Sequence, residues 1–323
     1  MNKIVISGYY GFANAGDEAM LTSIVRALRG VQPEIDLTVI SGNPAETSAK
    51  HKVKSIYRFN FFKIYSAVKN ADMLLSGGGS LLQDVTSSKS LHYYLSIIRC
   101  AEFFHKKVFI YSQGIGPIDR PGNRRAAAAA LKRADGIAVR DERSASLLEE
   151  IGIARDKVVI TADPVIRMKK PDGDVGAEIL RKAGVSLDGR LTVGWAIRER
   201  DTDSRFVKEL LRSIQMMKDK YNAQSVLIPF HYEEDGEVCR HIAAQLPDDT
   251  AVCLNEKYLS EDMLSIIGNM DLLVGVRLHS LIYAAIMGVP LIGISYDPKC
   301  TAFLNSVGLD KLSTKENFTA ELF

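Results

Sequence analysis

Short apolar segments alternate with amphipathic segments along the chain, and this alternation predicts the fold. In the first half, each apolar segment leads into a glycine-rich or polar turn and then into apolar residues at helical spacing. Apolar strands separated by helices are typical of a parallel sheet that is covered on both faces. We therefore expect a doubly wound α/β domain with strands at residues 4–7, 37–40, 73–75, 108–111, 136–139 and 158–160, and helices at 19–28, 64–70, 91–105, 124–133 and 144–151.

The second half repeats the alternation after a polar interruption. Residues 168–176, MKKPDGDVG, are rich in charge, Gly and Pro, which is typical of an inter-domain linker. Predicted strands resume at residues 192–196, 225–229, 251–254, 272–276 and 291–295. The sequence thus predicts an N-terminal domain at residues 1–167 and a C-terminal domain at 168–323, both Rossmann-like and facing each other.

Composition and charge narrow the class of protein. The 323 residues are 46% hydrophobic, and the longest apolar runs are shorter than the ~20 residues that a membrane span needs. The first residues, KIVISGYYG, are typical of a buried strand and not of a signal peptide, so we expect a cytoplasmic protein. A net charge of +2 without a long basic stretch argues against nucleic acid as a partner. No spacing typical of a zinc site or of a disulfide framework is found among the four cysteines, Cys100, Cys239, Cys253 and Cys300.

The most informative stretch is VGVRLHSLIYAAIMGVPLIGISYDPK, near the C-terminus. It predicts a strand at 272–276, a helix at 280–287 and a strand at 291–295, with His279 and Lys299 just past the two strand ends. Ligands of open parallel sheets bind at the carboxyl ends of the strands, and a helix start favours anions. An imidazole and an ammonium at this edge indicate an anionic substrate that requires a proton.

A second polar cluster resembles metal ligands only in composition. It contains His231, Glu233, Glu234, Asp235, Cys239 and His241. Their spacing matches no common metal site, and an acidic, solvated turn that enters a helix explains them better. We therefore predict no metal.

Three glycine-rich turns follow strands of the N-terminal domain, in GYYGFANAGDEAM, SGGGSLLQD and SQGIGP. Glycines allow a ligand to approach the backbone closely, and polar side chains beside them can bind hydroxyl groups. Tight structural turns are the alternative explanation. The candidate residues for binding such hydroxyl groups, those of an acceptor sugar, are Gly11, Asn14, Asp17, Gly78, Gly79 and Gln83.

The segment AVRDERS places Arg140 at the end of another strand. If the domains face each other, its guanidinium points towards His279 and Lys299 and can clamp a phosphate or carboxylate. Arg143, one helical turn later, is an alternative clamp, and an Arg140–Asp141 pair that merely fastens the loop is another.

Residues 47–71 contain no acidic residue, and six basic residues alternate there with aromatic ones. This combination suits a membrane interface, so we expect peripheral membrane contact through residues 50–70. An ordinary strand and helix that pack on the sheet would produce a similar pattern.

The motifs GYYGFANAGDEAML, SGGGSLLQD, SQGIGP, AVRDERS, ADPV and VGVRLHSLIYAAIMGVP occur in this order, and DPK follows them. Over residues 1 to about 300, the chain resembles the polysaccharide pyruvyl transferase family, most closely its CsaB type, which modifies secondary cell-wall polysaccharide for S-layer anchoring. The resemblance implies a GT-B-like fold and transfer of the pyruvyl group of phosphoenolpyruvate to a sugar diol. For the CsaB type it implies a 4,6-ketal on terminal N-acetylmannosamine of a lipid-linked oligosaccharide. GT-B proteins often end in a returning helix, so we also expect a C-terminal tail beyond ENFTAELF.

The resemblance also implies roles for individual residues. His279 would protonate the enol carbon of phosphoenolpyruvate, and histidine is the usual proton donor near neutral pH. Arg140 and Lys299 would bind the donor, and we add Arg277 and Ser280 as neighbouring donor-binding candidates. No metal or organic cofactor is needed for this reaction.

Two other functions remain possible from the sequence. A GT-B nucleotide-sugar glycosyltransferase usually carries an acid that binds ribose shortly before the Gly-x-Pro of its C-terminal domain, and Tyr283 stands at that place here. A non-enzymatic sugar-binding protein would not need His279, Lys299 and Arg140 together. Both alternatives are less consistent with these residues than pyruvyl transfer.

Overall fold

The computed structural model describes residues 3–85, 87–199, 201–295 and 297–323. The chain divides into two compact units, each with its own parallel sheet. The N-terminal unit comprises Met1–Phe12 and Asp17–Pro164, and the C-terminal unit comprises Ala13–Gly16 and Val165–Phe323. The predicted α/β class is confirmed. The short segment Ala13–Gly16, which sequence reasoning left in the first domain, belongs to the C-terminal unit.

The N-terminal unit is built on a seven-stranded sheet. Its strands are β1 (Lys3–Ser7), β2 (Asp36–Ser41), β3 (Lys54–Tyr57), β4 (Met73–Gly77), β5 (Lys107–Gln113), β6 (Gly136–Val139) and β7 (Val158–Ile160). They lie in the order β3-β2-β1-β4-β5-β6-β7, and neighbouring strands are parallel. The order reverses direction between β1 and β4, which is where open sheets of this kind bind ligands.

Helices connect these strands and cover the sheet with apolar side chains. They are α1 (Ala15–Val31), α2 (Pro44–His51), α3 (Phe61–Asn70), α4 (Ser88–Phe103), α5 (Pro121–Leu131) and α6 (Glu142–Glu150). Side chains of the residues before the helices cap several of them: Asn60 accepts from the Lys63 N–H, and Asp141 accepts from the Ser144 N–H.

The C-terminal unit has a five-stranded sheet. Its strands are β8 (Thr192–Ala196), β9 (Gln224–Leu227), β10 (Ala251–Cys253), β11 (Leu272–Gly275) and β12 (Leu291–Gly293). All neighbours are parallel, in the order β10-β9-β8-β11-β12, so the reversal point lies between β8 and β11. Its helices are α7 (Val175–Lys182), α8 (Arg205–Tyr221), α9 (Tyr232–Ala244), α10 (Ser260–Gly268), α11 (Leu278–Met287) and α12 (Pro298–Ser306).

Each predicted strand is present, with ends that differ by at most two residues. The sequence analysis did not identify β3, an edge strand whose residues are all partly exposed. The last two residues of the predicted linker at 168–176 already belong to a helix, because α7 begins at Val175. Gly176 packs against the backbone of Ser265.

Candidate functional site

His279 lies at the carboxyl edge of the C-terminal sheet. Strand β11 ends at Gly275, Arg277 is the residue before helix α11, and His279 stands in the first turn of that helix. The side chain is partly exposed. Because β11 flanks the reversal point of the sheet, the imidazole is at the position where this topology binds ligands.

Gly16 packs directly against the His279 ring. A β-carbon on Gly16 would overlap Nδ1 of His279, so only glycine allows the imidazole to occupy its observed place. The φ angle of Gly16 is not positive, and close approach is therefore the reason for this glycine. Sequence reasoning noted Gly16 as part of a turn but did not connect it with His279.

The segment Ala13–Gly16 is fastened within the C-terminal unit by several contacts. The Ala15 N–H donates to the Phe230 carbonyl at 2.9 Å, and Asn14 forms an antiparallel bridge with His231. The Gly16 N–H donates to Oδ1 of Asn14 at 3.0 Å. The structure thus groups Asn14, expected to bind the acceptor, with the unit that carries His279.

Arg277 does not present a free charge beside His279. Its guanidinium forms a two-pronged ion pair with the buried Asp235, with Nε at 3.0 Å from Oδ2. Asp235 also accepts the His231 N–H at 2.8 Å. The sequence predicted a solvated acidic turn here. That prediction is wrong for Asp235, because this carboxylate is buried with its partner. The pair holds the start of α11 against α9.

Ser280, another donor-binding candidate, is fully buried. Its hydroxyl donates to the Arg277 carbonyl at 2.6 Å, within the first turn of α11. Both Arg277 and Ser280 therefore shape the start of α11, which carries His279.

Lys299 stands in the first turn of α12, after the neighbouring strand β12. Its Nζ lies 3.2 Å from Oδ2 of Asp297, and its side chain remains 30% exposed. Asp297 also caps the helix by accepting the Lys299 N–H at 3.0 Å. Because β11 and β12 are adjacent and parallel, the helices that carry His279 and Lys299 begin at the same edge of the sheet.

Arg140 is a buried cation in the N-terminal unit. It follows β6, its side chain is 5% exposed, and Nη1 donates to Asp163 at 2.7 Å. Nη2 donates to the Ser80 hydroxyl at 3.1 Å. Arg143 is exposed on α6 instead. Of the two arginines, only Arg140 lies among the glycine-rich turns. Asp163 belongs to the ADPV motif, and the sequence alone indicated no role for it.

Two of the three glycine-rich turns, SGGGSLLQD and SQGIGP, lie beside Arg140. Gly79 has φ +71°, and its N–H donates to the Met20 sulfur. A β-carbon on Gly79 would lie 3.3 Å from Oδ1 of Asp17. A β-carbon on Gly114 would lie closer still to a neighbour, at 2.9 Å from Nη2 of Arg140. Gly78 shares this turn with φ +68°, and Gln83 lies half-buried in the loop before α4.

Gly11 occupies a separate turn that Glu18 holds in place. With φ +78°, Gly11 donates its N–H to Oε1 of Glu18 at 2.9 Å. The other carboxylate oxygen, Oε2, lies 3.1 Å from Nε2 of the buried His51 and 3.5 Å from Nζ of Lys50. Burial would raise the pKa of Glu18, but the hydrogen bond with His51 and the charge of Lys50 lower it below its ordinary value of 4.5.

Replacing Glu18 by Gln is expected to lower the free energy of unfolding at pH 7 by about 1–3 kcal/mol, because a charge-assisted hydrogen-bond network is lost. Since the folded protein has the lower pKa, this stabilisation is present above pH 4.5 and disappears as the pH falls through the folded value. Urea unfolding of both proteins at pH 7 and at lower pH measures the difference. A difference that persists unchanged in acid would contradict this account.

Within the part of the chain that the structure describes, no group of His, Cys, Asp and Glu side chains is arranged to hold a metal ion. Among the same residues, no helix combines the length and the apolar character that crossing a bilayer requires.

Comparison with known sequences finds a matching family and a similar protein. The family model described as polysaccharide pyruvyl transferase matches residues 14–298. The amylovoran biosynthesis protein AmsJ of Erwinia amylovora is 20% identical to this chain over an alignment of 369 residues, gaps included. The alignment covers 97% of this chain and 88% of AmsJ.

Solved structures with a similar fold handle sugar nucleotides. The UDP-GlcNAc 2-epimerase of Methanocaldococcus jannaschii superposes with a TM-score of 0.67 at 13% identity, covering 99% of this chain and 89% of the epimerase. The ADP-heptose LPS heptosyltransferase II of E. coli gives a TM-score of 0.51 at 15% identity, covering 91% and 84%. At these identities the likeness concerns the fold alone, and it confirms the predicted GT-B-type fold.

Proposed function

Because this chain belongs to the polysaccharide pyruvyl transferase family, we propose that it transfers the pyruvyl group of phosphoenolpyruvate to two hydroxyl groups of a saccharide. The observation that carries the proposal is the position of His279, at the carboxyl edge of the sheet and held by Gly16. An imidazole placed there can donate a proton to the enol carbon of a bound enol phosphate.

In the proposed reaction, His279 donates a proton to C3 of phosphoenolpyruvate, and a positive centre develops at C2. A sugar hydroxyl adds to C2 and loses its proton. The bond between C2 and the phosphate oxygen then breaks, and inorganic phosphate leaves with the electron pair. A second hydroxyl adds to C2 and loses its proton, which closes the ketal. One proton returns to His279 and the other leaves with phosphate, so no redox partner is required.

Cationic side chains would stabilise the charged donor and the departing phosphate. Lys299 suits this role because its ammonium is partly exposed at the edge that also carries His279. The family resemblance assigns a second donor-binding role to Arg140. For Arg277 and Ser280 we propose positioning roles, since the first is paired with Asp235 and the second donates within its own helix turn.

The acceptor is a finer part of the proposal. The motifs of the CsaB type favour a 4,6-ketal on terminal N-acetylmannosamine of a lipid-linked cell-wall precursor, made at the inner face of the membrane for S-layer anchoring. Gly11, Asn14, Asp17, Gly78, Gly79 and Gln83 are the proposed acceptor-binding residues. No cofactor is proposed, because phosphoenolpyruvate supplies both the transferred carbons and the leaving group.

A nucleotide-sugar glycosyltransferase is the alternative that the fold likeness favours. At the position where such an enzyme would present an acid to ribose, Tyr283 is fully buried and packs against Phe230 with ring centroids 5.5 Å apart. A buried aromatic ring cannot replace an exposed carboxylate, which weakens this alternative.

The deciding experiment incubates the purified protein with phosphoenolpyruvate and an aryl-linked N-acetylmannosaminyl-N-acetylglucosamine. We expect the acceptor to gain the mass of one pyruvate ketal and one phosphate to be released for each ketal formed. Nucleotide sugars are offered in parallel to the same acceptor. Glycosyl transfer from one of them, without any reaction of phosphoenolpyruvate, would overturn the proposal and establish the alternative.

A further inference from the structure

The N-terminal unit carries an exposed aromatic surface that the proposed chemistry does not use. On α3, Phe62 is 90% exposed, Phe61 is 61% exposed and Tyr65 is about half exposed. Phe103, at the end of α4, is 72% exposed. The Tyr65 and Phe104 rings meet edge to face at 4.8 Å, and Phe104 meets Phe103 at 5.2 Å, which joins the two helices into one surface. We call these five residues the α3–α4 aromatic patch.

Basic residues accompany this patch along the chain. Lys63 and Lys69 are exposed on α3, and Lys106 and Lys107 follow Phe104 after a single residue. Residues 47–71 contain no acidic residue, and Glu102 is the one acidic residue among residues 88–107. Burial raises the pKa of Glu102, although the charges of Arg133 and Arg99 oppose this rise. The patch and its border therefore combine exposed aromatic rings with positive charge.

Packing within the protein explains the neighbouring aromatic residues better than it explains the patch. The Arg58 guanidinium lies over the rings of Phe12, Phe59 and Tyr93, with its central carbon 4.8–5.1 Å from their centroids. Tyr57 in turn meets Phe59 edge to face. These residues form an internal cation–π cluster. The surface that lacks such an explanation is therefore smaller than the region 50–70 expected from the sequence.

We propose that the α3–α4 aromatic patch docks the protein on an anionic lipid bilayer. Aromatic rings at a helix start can enter the boundary between headgroups and acyl chains, and lysines beside them attract anionic headgroups. A second copy of the chain fits less well, because a symmetric contact would bring these lysines together. The proposal deepens the proposed function, since it supplies the surface on which a lipid-linked acceptor would be met.

The test is cosedimentation of the full chain with phosphatidylcholine vesicles, with and without phosphatidylglycerol. We expect binding to the anionic vesicles that weakens as salt is added, and little binding to pure phosphatidylcholine. The double variant Phe61→Ser and Phe62→Ser should bind at least about tenfold more weakly, because two apolar side chains no longer enter the bilayer. The double variant Lys63→Glu and Lys69→Glu should lose the dependence on phosphatidylglycerol.

The matched control is Tyr221→Ser, which removes a similarly exposed aromatic ring at the end of α8 and should bind like the unaltered protein. Circular dichroism and thermal unfolding check that each variant is folded. Equal binding by the Phe61/Phe62 variant, or no binding by the unaltered protein, would overturn the proposal. So would self-association in sedimentation equilibrium that needs Phe61 and Phe62 while vesicles are not bound.

Vesicle binding requires no turnover, so the two proposals fail separately. If the protein binds anionic vesicles but does not consume phosphoenolpyruvate, the docking proposal stands and the proposed reaction is overturned. Conversely, pyruvyl transfer to a water-soluble acceptor should be equal in the Phe61/Phe62 variant and the unaltered protein. A selective loss of activity on an acceptor embedded in vesicles would then measure the contribution of docking.

Discussion

Replacement of His279 by Ala is expected to reduce kcat for pyruvyl transfer by about a thousandfold, the typical contribution of a well-placed general acid. Neither neighbouring polar side chain can take its place, since Arg277 is bound to Asp235 and the Ser280 hydroxyl donates to a carbonyl. The KM for phosphoenolpyruvate should change much less than kcat, because the phosphate and carboxylate of the donor are bound by cations.

His92→Ala provides the matched control, because this histidine is exposed on α4 in the N-terminal unit. It should have the kcat of the unaltered protein. In D₂O, the unaltered protein should place one deuterium in the methyl group of the ketal, which shows that C3 is protonated by an exchangeable group. Retention of kcat within a few-fold in His279→Ala would assign the acid to another residue.

Local apolar patterns were sufficient to predict both sheets. The central strands are buried on both faces, so their sequences are nearly all apolar, and a glycine ends both β4 and β11. The pattern fails at β3, where Lys54 pairs with Asp36 on the sheet edge and no residue of the strand is fully buried. Helix α12 was not predicted, although Asp297 and Pro298 mark a recognisable helix start.

The positions of His279, Lys299 and Arg140 followed from strand ends, which local sequence reveals. Their partners did not, because these contacts join residues that are distant in the chain. The pair formed by Arg277 and Asp235 spans 42 positions, and its burial shows only in the folded unit. A charged side chain in a sequence therefore indicates a possible ligand contact, but only the structure shows whether a protein carboxylate already occupies it.

Among these contacts, the one between Gly16 and His279 joins the residues that lie farthest apart in the sequence. A substitution at Gly16 is therefore expected to have the second large effect on activity. Gly16→Ala should reduce kcat about a hundredfold, because the added methyl group would overlap Nδ1 and force the imidazole to rotate away from the donor. A displacement of this kind affects the proton transfer more than donor binding. We therefore expect a small change in KM and a pH–rate profile that differs in shape from that of the unaltered protein.

Stability measurements separate this effect from a general loss of structure. Gly16 lies in the first turn of α1, where alanine is a better helix former than glycine, so thermal unfolding should change little. Gly30→Ala is the matched control on the same helix, because a β-carbon there would meet nothing within 4 Å. It should leave kcat unchanged. If kcat in Gly16→Ala fell only in proportion to a loss of folded protein, Gly16 would serve the fold alone. A selective loss of kcat in a fully folded protein would show that this glycine positions the acid.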